Sequence, residues 1–228
     1  MFLDELYLDN AVIKPIKESG NGLLFTKIAK DLSDQGYSVT PDGLPKSLAS
    51  ALYKQLKAMK DSEFDTAGIG RKQNHRVSDV VRTDEICWID GTSKAGQEWL
   101  EWSSELREFL NLQLFLGLFS FESHFAHYAP GDFYKRHLDA FKGESNRVLS
   151  LVVYLNPDWK AEDEGQLVLY SDADDREGVK VTPNFGTVVA FLSEGFPHEV
   201  LPAARDRYSI AGWFRLNTSH MDRVDPPR

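Results

Sequence analysis

An α+β fold with a jelly-roll core (a double-stranded β-helix) and N-terminal helices packed on its outside is what this sequence of 228 residues predicts. Short apolar runs separated by turns fill the second half of the chain, helical periodicity is confined to the first half, and no segment repeats another. A chain of this length buries about 70% of its unfolded surface, enough for one core with a helical flank.

Taken in order, residues 1–22 contain Pro15 and Gly20-Asn-Gly22 without a sustained period and read as an N-terminal arm. Leu24, Phe25, Ile28, Ala29 and Leu32 then fall at helical spacing, which predicts a helix to Asp34 stopped by Gly36. Tyr37-Ser-Val39 reads as a short strand. Leu48, Leu52, Leu56 and Met59 predict a second helix from Pro45 to Lys60. Residues 61–81 are polar and locally basic, with Gly68, Gly70, Arg71, Lys72 and Arg76, and read either as a solvated loop or as a flap that closes over substrate.

Glu85 to Ile89 predicts a strand ending at Asp90-Gly91. From Ala95 to Leu114 the stripe of Trp99, Trp102, Leu106, Phe109 and Leu110 predicts a long amphipathic helix whose aromatics belong to the core. Phe119 to Tyr128 alternates as a strand, so His124 and His127 face opposite sides and only one of them can look into a site. Further strands are predicted at Val148 to Leu155, Gln166 to Tyr170, Val179 to Val181, Thr187 to Leu192 and Tyr208 to Phe214. The acidic stretch Ser171 to Gly178 reads as a solvated hairpin tip. The expected division is an arm at 1–22, one domain at 23–217 with helical support at 23–118 and the jelly-roll core at about 119–217, and a tail at 218–228.

A net charge of −9 disfavours nucleic acid or an anionic membrane surface as partner. No apolar run approaches the ~18 residues of a membrane span. The opening Met-Phe-Leu-Asp-Glu carries acids where a secretory signal carries bases, and Cys87 is the only cysteine; both point to the cytoplasm.

The chemistry concentrates in Tyr128-Ala-Pro-Gly-Asp-Phe-Tyr-Lys-Arg-His137-Leu-Asp139, in Pro197-His198-Glu199 and in Arg207-Tyr-Ser-Ile-Ala-Gly-Trp213. On a strand, His137 and Asp139 present an imidazole and a carboxylate to one point while Leu138 turns away. With His198 as third ligand they form a two-histidine, one-carboxylate facial set, which leaves positions open and suits non-haem Fe(II) activating O2. Zinc accepts the same donors, so a hydrolase or a non-catalytic metal sensor on the same fold stays open at this point. Arg207 adds what those alternatives do not need: a planar fork able to grip a carboxylate, as a dicarboxylic co-substrate such as 2-oxoglutarate requires.

Together with Arg147-Val-Leu-Ser-Leu-Val-Val-Tyr-Leu-Asn-Pro-Asp-Trp159 and Pro197-His-Glu-Val-Leu-Pro202, these segments resemble the Fe(II)- and 2-oxoglutarate-dependent dioxygenases, and within them the hypoxia-factor type of protein prolyl 4-hydroxylase in a bacterial form. The resemblance runs over residues 28–217. It implies His137, Asp139 and His198 as iron ligands, Arg207 and Tyr154 on the distal carboxylate of 2-oxoglutarate, and Tyr128 lining the iron pocket. It also implies Fe(II) as cofactor, 2-oxoglutarate and O2 as co-substrates, and L-ascorbate as a further cofactor left open. The activity it implies is hydroxylation at C4 of a prolyl residue in a protein partner, such as a bacterial translation factor, with release of succinate and CO2. A 2-oxoglutarate oxygenase acting on a small molecule or another residue type is the alternative. Arg147, Arg71 and Arg76 are the expected substrate-binding residues, the last two through the 61–81 loop.

Overall fold

The computed structural model describes residues 20–67, 81–140 and 146–217. The arm before residue 20, residues 68–80 with Arg71 and Arg76, and the tail from 218 onward lie outside the described residues.

Three helices form for the reasons their sequences carry. Helix α1 (Gly22–Gln35) buries Phe25, Ile28, Ala29 and Leu32, and ends at Gly36, whose φ of 80° is the left-handed turn that glycine adopts without strain. Strand β1 (Tyr37–Thr40) follows, then α2 (Lys46–Ala58), which buries Leu48, Leu52 and Leu56. Helix α3 (Lys94–Leu114) starts at Ser93, whose hydroxyl accepts the Gly96 N–H at 2.9 Å, and it buries Trp99, Trp102, Leu106 and Leu110. Side chains of this size contribute about 1.5–3 kcal/mol each when fully buried, so one face of α3 anchors the helical layer. Among the described residues no helix is long and apolar enough to cross a membrane.

The remaining strands are β2 (Asp65–Thr66), β3 (Glu85–Trp88), β4 (Ser120–Tyr128), β5 (Tyr134–His137), β6 (Arg147–Tyr154), β7 (Leu167–Leu169), β8 (Val179–Val181), β9 (Val188–Leu192), β10 (His198–Val200) and β11 (Arg207–Arg215). They form a seven-stranded sheet in the order β1-β9-β6-β11-β4-β3-β2 and a four-stranded sheet in the order β5-β10-β7-β8, antiparallel throughout. This is the expected jelly roll.

The strands expected at Tyr37–Val39 and Glu85–Ile89, within the stretch assigned to helical support, join the larger sheet as β1 and β3, β1 pairing with β9 and β3 with β4. One expectation needs correction. Residues 61–67, expected to belong to a long loop, instead make a 3-10 turn and β2, and the Ala67 N–H donates to the Asp84 carbonyl at 2.9 Å. Both the sheet pairings and β2 depend on partners distant in sequence.

Alternation divides the larger sheet into two faces with separate cores. Phe121, Phe125, Leu149, Leu151, Val153, Ile210 and Phe214 face the helices. Ala126, Tyr128, Tyr154, Val189 and Phe191 face the smaller sheet. On this inner face the register lines up rows across β4, β11 and β6. Tyr128 stands opposite Arg207, Ala126 opposite Ser209 and Tyr154, His124 opposite Ala211 and Val152, and Glu122 opposite Trp213 and Ser150. Arg207, Tyr128, Tyr154 and Ser150 sit along these rows, and His137 and His198 face them from the smaller sheet.

Candidate active site

His137 closes β5 and His198 opens β10, and the two are register partners in the smaller sheet, so backbone pairing alone brings the imidazoles together at a ring separation of 4.3 Å. Asp139 arrives differently. Strand β5 ends at His137, and Asp139 lies in the bend beyond it, so strand alternation does not position its carboxylate. The Ser150 hydroxyl holds it instead, donating to Oδ2 at 2.6 Å from the inner face of β6, and Ser150 is itself 2.9 Å from the Ser193 hydroxyl. Nε2 of His137 lies 3.8 Å from Asp139 Oδ1, and Nε2 of His198 3.6 Å from Oδ2. All three donor atoms lie within 4.8 Å of one another.

These residues fit a metal ion. Nδ1 of His137 is 2.8 Å from the Lys135 carbonyl and Nδ1 of His198 is 3.0 Å from the Phe196 carbonyl. A carbonyl only accepts, so each Nδ1 carries a proton and Nε2 is the nitrogen left to meet a metal beside Asp139. Burial lowers the His137 pKa far below the ordinary histidine value, reinforced by His198. Burial alone would raise Asp139, yet His198, His137, Arg147 and the Ser150 hydroxyl outweigh it and hold the carboxyl below its usual range. Neutral imidazole and ionised carboxylate are the forms that bind a divalent metal. The Tyr134 ring stacks on His137 at 3.5 Å and Phe191 meets His198 edge-on at 4.8 Å, which fixes both ring planes.

At the other end of the inner face, Arg207 is 1% exposed. Its Nε donates to the Gly165 carbonyl at 2.8 Å, and its guanidinium lies 5.0 Å from the Tyr128 ring and 5.1 Å from the Tyr154 ring. Among the described residues no carboxylate comes within ion-pair distance of it. A buried cation without an anion is costly, so the pocket is complementary to a carboxylate supplied from outside the chain. The Tyr154 hydroxyl, sealed from solvent beside Arg207 and with no acceptor among the described residues, fits the same anion as a second donor. Tyr128, expected to line the iron pocket, thus stands at the arginine end of the site, beside Arg207 as Tyr154 is.

Arg147, at the start of β6, pairs with Glu122 at 3.0 Å and stacks on Trp213 at 3.6 Å. Of the two histidines on β4, His124 faces inward. It is 3% exposed and packed between Trp88 and Trp213, with Nδ1 sealed and unpartnered. Burial, then Arg82 and Arg147, lower its pKa to about 3.

Sequence reasoning missed Ser150, Tyr134 and the pair in which Arg82 clamps Asp84 with two hydrogen bonds, 2.7 and 2.6 Å, under the Tyr134 ring. One signal for Ser150 was available: it is a polar residue at an inward position of an otherwise apolar run.

The sequence profile of the 2OG-Fe(II) oxygenase superfamily matches residues 123–215, which hold all four predicted ligand positions. Human Egl nine homolog 1 is 25% identical over 190 residues, 80% of this chain and 44% of that protein. The chain spans about half the length of the Egl nine proteins it matches, 44% to 56%. Among solved structures, a Pseudomonas putida prolyl-4-hydroxylase is 40% identical with a TM-score of 0.75, over 85% of this chain and 98% of that one. A Trichoplax adhaerens prolyl hydroxylase, solved with a hypoxia-inducible-factor peptide, is 25% identical with a TM-score of 0.74, over 90% of this chain and 94% of that one. With its metal-ligand triad, its buried arginine and 40% identity to a protein it covers almost end to end, the chain belongs to the 2OG-Fe(II) oxygenase superfamily, alongside the prolyl 4-hydroxylases.

Proposed function

We propose that this chain is an Fe(II)- and 2-oxoglutarate-dependent dioxygenase that hydroxylates C4 of a prolyl residue in a protein partner. The observation that carries this reading is the pairing of an open facial ligand set with an uncompensated buried arginine on one barrel face, in a chain 40% identical to a bacterial prolyl-4-hydroxylase. Iron bound by His137, Asp139 and His198, together with 2-oxoglutarate and O2, supplies the oxidation of an unactivated C–H bond. One oxygen atom goes to the prolyl carbon, the other to succinate, and CO2 is released.

The chain's own groups do the rest. Arg207 and the Tyr154 hydroxyl hold the distal carboxylate, which orients the co-substrate along the row from Tyr128 toward the metal ligands. Ser150 keeps the Asp139 carboxylate in place. The apolar inner walls, Val152, Val189 and Phe191, exclude water from this volume. Arg147, backed by the buried Trp213, and the half-exposed Trp88 offer a cationic and an aromatic group to a peptide chain. Arg147 is accordingly assigned to the substrate, and Arg71 and Arg76 remain proposed contributors from the adjoining segment.

The test is to incubate the purified protein with Fe(II), O2, 2-oxoglutarate and an extract of acceptor proteins. Succinate formation should rise with the acceptor, and mass spectrometry should find one added oxygen on a prolyl residue. Succinate formation with oxygen appearing only on a small molecule or another residue type would keep the oxygenase and remove the prolyl assignment.

A further inference from the structure

His127, the outward partner of His124 on β4, belongs to no part of the reaction described above, and its surroundings give it a task. Its Nε2 lies 2.7 Å from Asp206 Oδ1, while Nδ1 faces Glu85 Oε2 at 3.6 Å. The ring stacks on Tyr208 at 4.9 Å with planes 18° apart, and Phe64 meets it edge-on at 6.3 Å. Lys57 closes the far side of Tyr208, donating to its hydroxyl at 3.1 Å. Three segments distant in sequence therefore converge on one imidazole, the turn before β2, the start of β3 and the turn before β11, and the end of α2 braces the Tyr208 ring stacked on it.

Position along the chain gives the cluster its meaning. Asp206 immediately precedes Arg207, and His127 immediately precedes Tyr128. Arg207 and Tyr128 are register partners, and their side chains point inward to the carboxylate pocket while those of His127 and Tyr208, the next pair, point outward. The His127–Asp206 contact thus closes the outside of the same two-strand ladder whose inside is the pocket. A carboxylate only accepts, so Nε2 carries the proton and the bond is charge-assisted. At 3.6 Å, Glu85 is too far for a hydrogen bond and acts through charge.

We propose that His127 is a positioning residue that latches the Asp206 turn to β4 and thereby fixes the angle at which Arg207 and Tyr128 meet 2-oxoglutarate. This rests on the reading of Arg207 as holder of the co-substrate carboxylate. The latch makes no contact with the metal ligands, so its loss should weaken 2-oxoglutarate and leave the metal alone. His127 and Asp206 are partly exposed, and exposed pairs of this kind contribute at most about fivefold in an equilibrium constant.

The experiment measures Mn(II) affinity, then 2-oxoglutarate affinity of the Mn(II)-loaded protein, in wild type, His127→Phe and His127→Gln. Phenylalanine keeps the stack on Tyr208 and loses the donor; glutamine keeps an N–H for Asp206. We expect His127→Phe to bind 2-oxoglutarate about three- to fivefold more weakly with unchanged Mn(II) affinity, and His127→Gln to recover most of the loss. In turnover the same variant should raise KM for 2-oxoglutarate while kcat at saturation holds. Equal 2-oxoglutarate affinity in all three proteins overturns the latch, as does a parallel loss of Mn(II) affinity in both variants, which would mark a general structural role. If wild type itself fails to bind 2-oxoglutarate, the reading of Arg207 falls first and takes the latch with it.

Discussion

The metal corner and the carboxylate pocket occupy opposite ends of one barrel and solve the burial of basic groups in opposite ways. At the metal corner the bases are histidines, and burial drives the His137 proton off, leaving a neutral donor. In the pocket the base is Arg207, which cannot give up its proton and stays a cation enclosed by tyrosines. Each of the three proposed metal ligands is held by a partner of the chain's own: Lys135 and Phe196 carbonyls for the histidines, the Ser150 hydroxyl for Asp139. The guanidinium has a carbonyl at Nε and no carboxylate among the described residues. One end is a finished ligand set and the other is a charge waiting for its counter-ion, so the two should fail in different ways.

The largest effect is expected at the metal corner. Asp139→Ala removes the one carboxylate of the triad and leaves two imidazoles, so Fe(II) affinity and turnover should both be lost while the circular dichroism spectrum stays that of the folded protein. Retained Fe(II) binding at the wild-type level would show that another carboxylate completes the site. In the pocket, Arg207→Lys keeps the charge and loses the fork. Binding of 2-oxoglutarate to the Mn(II)-loaded protein should weaken by about 1–3 kcal/mol, the range for hydrogen bonds to charged groups, with Mn(II) affinity untouched. A variant that lost both affinities together would erase the distinction between the two ends.

A subtler separation comes from Ser150. Among the described residues its hydroxyl is the one hydrogen-bond donor on Asp139, and loss of such an outer partner weakens metal binding by about 10- to 100-fold. Ser150→Ala should do so with little change in 2-oxoglutarate affinity once metal is saturating; calorimetry with Mn(II), then with 2-oxoglutarate, reads both. An unchanged Mn(II) affinity would mean that the bend after β5 holds Asp139 unaided.

How much of this was legible in the sequence follows the same divide. His137, Asp139, His198 and Arg207 stand in local motifs, and their chemistry can be named from residue type and spacing. The geometry behind Asp139 could not be read that way, since the residue lies past the end of β5 and depends on a serine eleven positions away. Ser150, Tyr134 and the Arg82–Asp84 clamp act through pairings between segments, and sequence periodicity reports which face a residue takes, not whom it meets there. Strands β1 and β3 were legible as strands but not their partners β9 and β4, and β2, two residues long, is a strand only because β3 pairs with it. His124 and His127 illustrate the limit. Alternation said that one faces inward, and only the register with β11 says which.

The smallest effect tests the opening contrast through pH. If buried histidines shed their protons while Arg207 cannot, the metal-free protein should lose stability through those histidines as pH falls from 7 to 5, above the range in which the depressed Asp139 carboxyl titrates. His124 has a folded pKa of about 3 against an ordinary value of 6.5, and His137 is lowered in the same direction. Between those values the unfolded chain binds a proton that the folded chain refuses. Stability is therefore full above the unfolded value and declines as pH falls below it, by about 1.4 kcal/mol per pH unit per group. His124→Leu removes one such group and no metal ligand. Urea unfolding of the metal-free protein at pH 7, 6 and 5 should give a shallower acid decline for the variant, together with slightly higher stability at pH 5. At pH 7, removing an unpartnered buried nitrogen should also not destabilise the fold. Parallel pH profiles for the two proteins would mean that His124 takes up its proton in the fold, and that the inner wall of the barrel is wetter than its packing between Trp88 and Trp213 implies.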